Sequence, residues 1–281
     1  MNVLLIGFGD LAMRLAPRLV AADYRVAGLR RSEMAFPDVK MQACDCTNPE
    51  PLVPILAGCD AVVVTLTPAA FNEEAYRRTY IAGAQALVDA LNQLAVKPAR
   101  ILWVSSTSVY GQSNGEWVDE TSETEPESFS GKCLLEAEEI IAAGPVPSTI
   151  IRFSGIYGPG RQQLINTVKG GHCAPPGPVK WTNRIHSDDC AGALQHLLDK
   201  TRAGDRIAPL YLGTDCEPVP LHEVQRWLAQ RLGVSVATVP GRSARRGNRR
   251  CRNTLLLNSG YRFRYPTYIE GYGALLQDND W

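Results

Sequence analysis

Gly7, Gly9 and Ala12 stand as G-x-G-x-x-A in "LLIGFGDLAMRLA", between an apolar run and a segment whose leucines recur at helical spacing. A turn of this composition suits phosphate binding. Gly7 permits the tight turn, Gly9 lets the backbone approach a pyrophosphate, and Ala12 lets helix and strand pack closely. The helix N-terminus then presents its N–H groups to the phosphates. The same pattern closes tight turns in other α/β proteins, but the strand–turn–helix context favours a dinucleotide. Asp10 sets a negative charge near those phosphates, unfavourable unless it caps the helix or points away. Leu11, beside it, and Thr65, near the end of the fourth apolar run, join the candidate cofactor contacts.

The end of the second apolar run reads "GLRRSE". An NAD site usually carries an acid there for the ribose hydroxyls. Arg30 and Arg31, followed by Ser32, suit instead the extra 2′-phosphate of NADP through bidentate charge-assisted bonds. The alternative is a solvated basic turn. Asp45 in "ACDCT" is placed to bond the adenine edge or to serve as an acid at a helix N-terminus. The expected cofactor is therefore NADP, with NAD as the second choice.

The elements that must position these residues alternate. Apolar runs at 3–7, 24–29, 39–42, 60–66, 99–106 and 148–154 predict strands. Helical patterns at 10–22, 49–57, 73–94 and 131–142 lie between them. Continuous apolar strands separated by helices predict a parallel sheet covered on both faces. Right-handed crossovers then give an α/β, Rossmann-type doubly wound sheet with ligands at the carboxyl ends of its strands. After Gly155 the chain turns rich in Gly and Pro. The expected division is a dinucleotide-binding domain over 1–155, with 183–215 returning to it, and a small C-terminal substrate lobe over 156–281.

Composition excludes several classes. Lys plus Arg equals Asp plus Glu at 29 each, so net charge offers nothing to nucleic acid or an anionic membrane. No apolar run reaches the roughly 18–20 residues of a membrane span. "MNVLLIGFGD" has no basic segment ahead of its apolar run, and is expected to open the first strand of a mature protein. The eight cysteines form no C-x-x-C pair; Cys44 and Cys46 form C-x-C without a second zinc-like pair. Reduced thiols in a cytoplasmic protein, with no bound metal, are the expectation.

Four further stretches occur in a telling order: "ILWVSSTSVYG" (101–111), the Lys132/Glu136 segment, "IIRFSGIYGPGR" (150–161) and "NRIHSDDCAGAL" (183–194). Together they resemble the extended short-chain dehydrogenase/reductase family, the NAD(P)-dependent epimerase/dehydratase group. The likeness spans essentially the whole chain, and the tail "GYRFRYPTYIEGYGALL" is similar to a compact bacterial subgroup. It implies an NAD(P)-dependent oxidoreductase or epimerase acting on a small-molecule substrate. It also implies pairing of two copies through the helices holding 73–94 and 131–142.

In that family a Tyr-x-x-x-Lys pair and a Ser/Thr carry the chemistry. A hydride moving to or from a carbonyl carbon leaves or needs a proton on oxygen. A tyrosine beside an ammonium, its pKa of about 10 lowered, can exchange that proton near neutrality. The resemblance assigns Ser106 to the Ser/Thr that polarises the substrate oxygen and Lys132 to the lysine that also grips the nicotinamide ribose. The tyrosine position is Ser128, which has no comparable acidity and a shorter reach. Tyr80 stands where the family commonly carries an asparagine, so it is either a relocated acid or a packing residue.

On the substrate side, Tyr110, Tyr157 and His186 are further candidate proton donors. The bland readings are that the tyrosines only line the pocket and that His186 fixes a loop. "GRSARRGNRRCRN" (241–253) gathers six arginines, which suit an anionic substrate, a solvated surface or, least of all, nucleic acid. The expectation is an NADP-preferring oxidoreductase or epimerase-like protein with no identified proton donor. The alternative is a non-catalytic NADP-binding sensor of the same fold.

Overall fold

The computed structural model describes residues 1–238 and 247–278. The chain opens with β1 (Asn2–Ile6), α1 (Asp10–Ala21), β2 (Arg25–Arg30), β3 (Val39–Ala43), α2 (Pro49–Leu56) and β4 (Ala61–Val64). Next come α3 (Glu73–Tyr76), a π-helical stretch (Arg77–Ala82), α4 (Gly83–Asn92), β5 (Arg100–Ser106), β6 (Glu116–Val118), α5 (Phe129–Ala142) and β7 (Ser148–Phe153). There follow β8 (Gly155–Tyr157), α6 (Gln163–Lys169), β9 (His172–Cys173), β10 (Trp181–Thr182), β11 (Arg184–His186), α7 (Ser187–Ala203) and β12 (Leu210–Gly213). The last elements are β13 (Val219–Pro220), α8 (Leu221–Leu232), β14 (Ala237–Thr238), β15 (Arg249–Cys251), α9 (Thr254–Asn258) and α10 (Tyr268–Asp278).

Seven strands form one sheet in the order β12-β7-β5-β4-β1-β2-β3. The registered pairs β2/β3, β1/β2, β1/β4 and β4/β5 are all parallel. The Ile150 and Ser154 N–H groups donate to the Pro209 and Gly213 carbonyls, an equal offset that carries the parallel ladder to β12. All four residues of β4 are buried. A strand covered on both faces has no use for alternation, which explains the continuous apolar reading of "AVVV". Strand order reverses between β1 and β4, so the crevice at their carboxyl ends is where a doubly wound sheet takes its ligand.

The chain divides into two compact units. The first comprises Met1–Val109, Pro126–Arg152 and Ala191–Tyr211. Its core joins Leu4, Ile6, Leu52, Val62, Leu87, Trp103 and Ile141 between sheet and helices. The second comprises Tyr110–Glu125, Phe153–Cys190 and Leu212–Trp281. It has its own core around Tyr157, Val168, Val224, Leu228, Tyr272 and Leu275.

One expectation changes in a way that matters. The single helix over 73–94 is broken: α3 gives way to the π-helical Arg77–Ala82 before α4 resumes. A π-turn takes one extra residue and is often found near functional sites. Here it lets the Tyr80 ring pack on the first unit's core while Tyr76, 5.5 Å away between ring centroids, stays against Phe71 and Phe129.

Candidate functional site

The glycine turn is built in the first unit. Gly7 adopts φ +84°, a left-handed conformation that glycine accepts without a Cβ penalty. A Cβ there would stand 3.0 Å from the backbones of Leu66 and Thr65, at the end of β4. The Gly7 and Phe8 N–H groups donate to the Leu29 carbonyl, and Thr65 Oγ1 donates to the Gly7 carbonyl at 2.8 Å. Thr65 thus pins the turn to the neighbouring strand. Ala12 is fully buried and Leu11 nearly so.

Gly9 differs. A Cβ on it would meet nothing nearer than the Gly7 carbonyl oxygen at 3.9 Å. The protein's own packing therefore does not demand glycine here, and the bare backbone leaves room for a phosphate to approach closely. Gly9 is also the N-cap of α1 and supplies no side-chain hydrogen bond to the first turn. An uncapped helix N-terminus over an open cradle fits a dinucleotide pyrophosphate. Asp10 is engaged with Arg14, one turn on, at 3.0 Å, which offsets the charge the sequence set beside the phosphates.

Arg30 ends β2 with Nη1 2.9 Å from Met34 Sδ, and Arg31 and Ser32 are exposed. Among the described residues neither arginine has a carboxylate partner. Asp45 is committed differently. Its Oδ1 accepts from the Thr47 N–H and hydroxyl, and Oδ2 lies 3.2 Å from Arg78. The Thr47 bonds, with Arg78 adding its charge, hold this carboxyl below the usual range.

Ser106, the last residue of β5, accepts from the Ser108 N–H at 3.2 Å. Lys132 lies exposed in the first turn of α5. The helix approaches the strand end closely because residue 131 is glycine: a Cβ there would lie 2.6 Å from the Ser108 carbonyl oxygen and 2.5 Å from Pro126 Cβ. Ser128 is the N-cap of α5. Its Oγ accepts from the Gly131 N–H at 3.1 Å and lies 3.1 Å from Ser130 Oγ. A serine satisfies an orphan N–H of the first turn, which a tyrosine cannot do. Tyr80, in contrast, is desolvated; burial, with Tyr76 adding to it, pushes its hydroxyl well above the ordinary tyrosine range. It is a poorer acid than a free phenol.

A polar network behind these residues escaped the sequence reading. Glu138 of α5 is 5% exposed and accepts from Ser105 Oγ at 2.5 Å and from Arg152 of β7 at 2.6 and 3.1 Å. It couples the strand bearing Ser106 to the helix bearing Lys132. The only signal was an arginine inside the apolar run "STIIRFS", which demands a buried carboxylate somewhere.

The second unit holds the three substrate-side candidates in its interior. Tyr110 is 1% exposed and donates to the Asp119 carbonyl at 2.8 Å. Tyr157 stacks on Tyr272 with ring centroids 4.4 Å apart, and burial pushes its hydroxyl far above the ordinary range. His186, 2% exposed, accepts from the Asp188 N–H through Nδ1 and packs against Tyr265. Asp189 accepts from the Tyr261 hydroxyl and the Arg264 and Tyr265 N–H groups, so the "SDD" acid anchors the C-terminal segment. Of the arginine cluster, Arg242, Arg245 and Arg246 lie outside the described residues. Arg250 sits over the Trp117 and Trp181 rings at 4.8 and 4.9 Å, and Arg252 over Trp117 at 5.0 Å. No helix among the described residues is long and apolar enough to cross a membrane.

Comparison with known proteins points the same way as the glycine turn. A family model for NAD(P)H-binding proteins matches residues 7–200. Protein YeeZ of Escherichia coli K12 is 33% identical over 213 residues, 72% of this chain and 75% of that protein. A solved structure from Methylobacillus flagellatus, assigned as an NAD-dependent epimerase/dehydratase, superimposes with a TM-score of 0.83 at 38% identity. It covers 99% of this chain and 98% of its own. The human epimerase family protein SDR39U1 with NADPH, at 19% identity and a TM-score of 0.81 over 99% of this chain and 100% of that one, shares the fold.

Proposed function

Because the chain belongs to the NAD(P)H-binding family, with a Rossmann domain of the epimerase/dehydratase (extended short-chain dehydrogenase/reductase) type, we propose an NADP-preferring oxidoreductase or epimerase-like protein acting on a small polar substrate. The observation that carries the cofactor choice is the pair Arg30 and Arg31 at the end of β2, without a carboxylate partner among the described residues and beside exposed Ser32. Two guanidiniums suit a 2′-phosphate, where an acid would repel it. In this reading the Gly7–Gly9 turn and the first turn of α1 receive the pyrophosphate, and Lys132 holds the nicotinamide ribose. Ser106 polarises the substrate oxygen. The nicotinamide, when bound, supplies hydride chemistry. The proton is assigned to neither Ser128, which caps a helix, nor Tyr80, whose hydroxyl is desolvated.

Fluorescence titration with NADPH and NADH tests this directly. The expected result is tighter NADPH binding, with the preference lost in an Arg30→Ala/Arg31→Ala double variant. Tighter NADH binding by the unaltered chain would defeat the argument. The capping role of Ser128 also favours a second reading, a non-catalytic NADP-binding sensor. Single-turnover NADPH oxidation against a panel of small carbonyl compounds separates the two, since a sensor binds NADPH and oxidises none with any of them.

A further inference from the structure

Three aromatic side chains from three separate segments of the first unit converge at the carboxyl end of its sheet. Phe71 comes from the loop that leaves β4, Tyr76 from α3 and Phe129 from the first position of α5. Ring centroids lie 5.1 Å apart for Phe71 and Phe129, 5.4 Å for Tyr76 and Phe129, and 5.6 Å for Phe71 and Tyr76. The rings meet tilted or edge-on, as their quadrupoles favour. Phe129 and Lys132 stand three residues apart on α5. Residues so spaced share a helix face, with about 5–6 Å between Cβ atoms, so the cluster adjoins exposed Lys132.

Phe71 is 58% exposed, while Tyr76 and Phe129 beside it are half-buried. Among the described residues, the first unit exposes one other large apolar side chain, Val96, in the turn that enters β5 at the opposite end of the sheet. A lone exposed ring calls for no explanation. This one belongs to a cluster at the ligand end of a doubly wound sheet. Thr65, at the start of the same loop, donates to the Gly7 carbonyl, and Gly131 brings α5 against the Ser108 carbonyl beyond β5. The patch is also small. A stable protein interface needs roughly 800 Å² per side with few charges at its centre. Here Glu73, Glu74, Arg77 and Arg78 follow Phe71 closely and are exposed. An apolar ring among charges suits a small molecule better than a second protein surface.

We infer that Phe71 and Phe129 receive an aryl group of the substrate, whose polar end meets Ser106 and Lys132. The role of that polar end rests on the oxidoreductase reading; the ring contact does not depend on it. The substrate is then a small molecule with one polar group and an aromatic remainder, not a polyol. An aryl ring offers Phe71 apolar area and extends the edge-on packing already present among Phe71, Tyr76 and Phe129. A polyol would set hydroxyls against these rings, and hydroxyls taken out of water without partners cost free energy. Apolar and aromatic walls with a few convergent polar groups are the composition of a small-molecule site.

Saturation-transfer NMR of the full chain with benzyl alcohol, in the presence of NADPH, tests the inference. The expected result is saturable binding with the strongest transfer to the ring protons, and 1-propanol binding at least roughly tenfold more weakly. Phe71→Ala, at an exposed position, should weaken benzyl alcohol binding about three- to tenfold, and Phe71→Tyr, which keeps the ring, should retain it. NADPH oxidation gives a second readout. Benzaldehyde should show a KM at least roughly tenfold below that of propanal, and Phe71→Ala should raise it with little change in kcat. If no carbonyl compound oxidises NADPH while benzyl alcohol still binds through Phe71, the oxidoreductase reading fails and the aryl site stands. If benzaldehyde and propanal react alike and Phe71→Ala alters neither, that reading stands and the aryl site is overturned. It is equally overturned if benzyl alcohol fails to saturate below roughly 50 mM. The same holds if sedimentation shows Phe71→Ala turning a dimer into a monomer with benzyl alcohol binding unchanged, which would give the ring to a second copy.

Discussion

Glu138 and Arg152 form a buried ion pair, with Oε2 and Nη2 2.6 Å apart and both side chains under a tenth exposed. The pair bridges α5 and β7, and Ser105 completes the carboxylate's bonding. Removing one partner strands a buried charge. Glu138→Ala should lower unfolding stability by about 3–5 kcal/mol, measured by urea denaturation. Glu138→Gln, which keeps the hydrogen bonds, should cost less. Because Ser105 adjoins Ser106 and Glu138 shares a helix with Lys132, NADPH affinity should fall in the same order. An affinity unchanged by Glu138→Ala would show that the network serves stability alone.

Ser128 tests the divided role of one position. Ser128→Ala should destabilise by about 1 kcal/mol through loss of the cap, and Ser128→Asp should restore it. Ser128→Tyr loses the cap too but adds a phenol four residues before Lys132. If Ser106 and Lys132 form an otherwise intact site, this variant should oxidise NADPH with some member of a carbonyl panel faster than the unaltered chain. No gain on any member would argue for the sensor reading.

The two glycines of the turn should fail for different reasons. Gly7→Ala forces an alanine to φ +84° and a Cβ to 3.0 Å from the backbones of Leu66 and Thr65. The backbone strain alone is on the order of 1–2 kcal/mol, so thermal stability should drop. Gly9→Ala places its Cβ in open space in the free protein. Its melting temperature should hold, while NADPH affinity falls by roughly tenfold or more as the methyl meets the phosphate. A Gly9→Ala variant that binds normally would remove the pyrophosphate from this cradle.

Asp215 predicts the pH dependence of stability. Desolvation raises its carboxyl to about 8, against the opposing pull of Arg184 and the Glu217 N–H, with the Glu217 and Asp189 carboxylates adding to the rise. Unfolded, it titrates near 3.9. Between those values the unfolded chain has lost a proton that the folded chain keeps, so this group lowers stability as pH climbs from about 4 to about 8. Asp215→Asn removes that slope. The stability of the variant relative to the unaltered chain should therefore rise across this interval and level off above it, as read by denaturation at successive pH values. A difference that stays flat would mean that Asp215 ionises normally.

Much of the first unit was legible because its signals are local. A glycine turn after an apolar run, buried parallel strands and two arginines ending β2 depend on spacing along a few residues, and spacing survives folding. Other features were read one at a time where they act in concert. Ser128 looked like a missing acid because its partner, the Gly131 N–H, exists only once α5 starts at Phe129. Tyr80 was poised between acid and packing residue until the π-turn carried its ring onto the core, where lost solvation weakens it as an acid.

The amino-acid sequence by itself determined the Rossmann architecture and the glycine turn after β1, since hydrophobic periodicity and glycine stereochemistry act within short segments. Only the tertiary structure decided which polar groups are buried and what they meet. Glu138 and Arg152 are 14 residues apart, and Arg252 reaches Trp117 across more than 130. No local pattern encodes such pairings, because they follow from strand order and from the cost of leaving a charge or a carboxyl oxygen unpaired out of water.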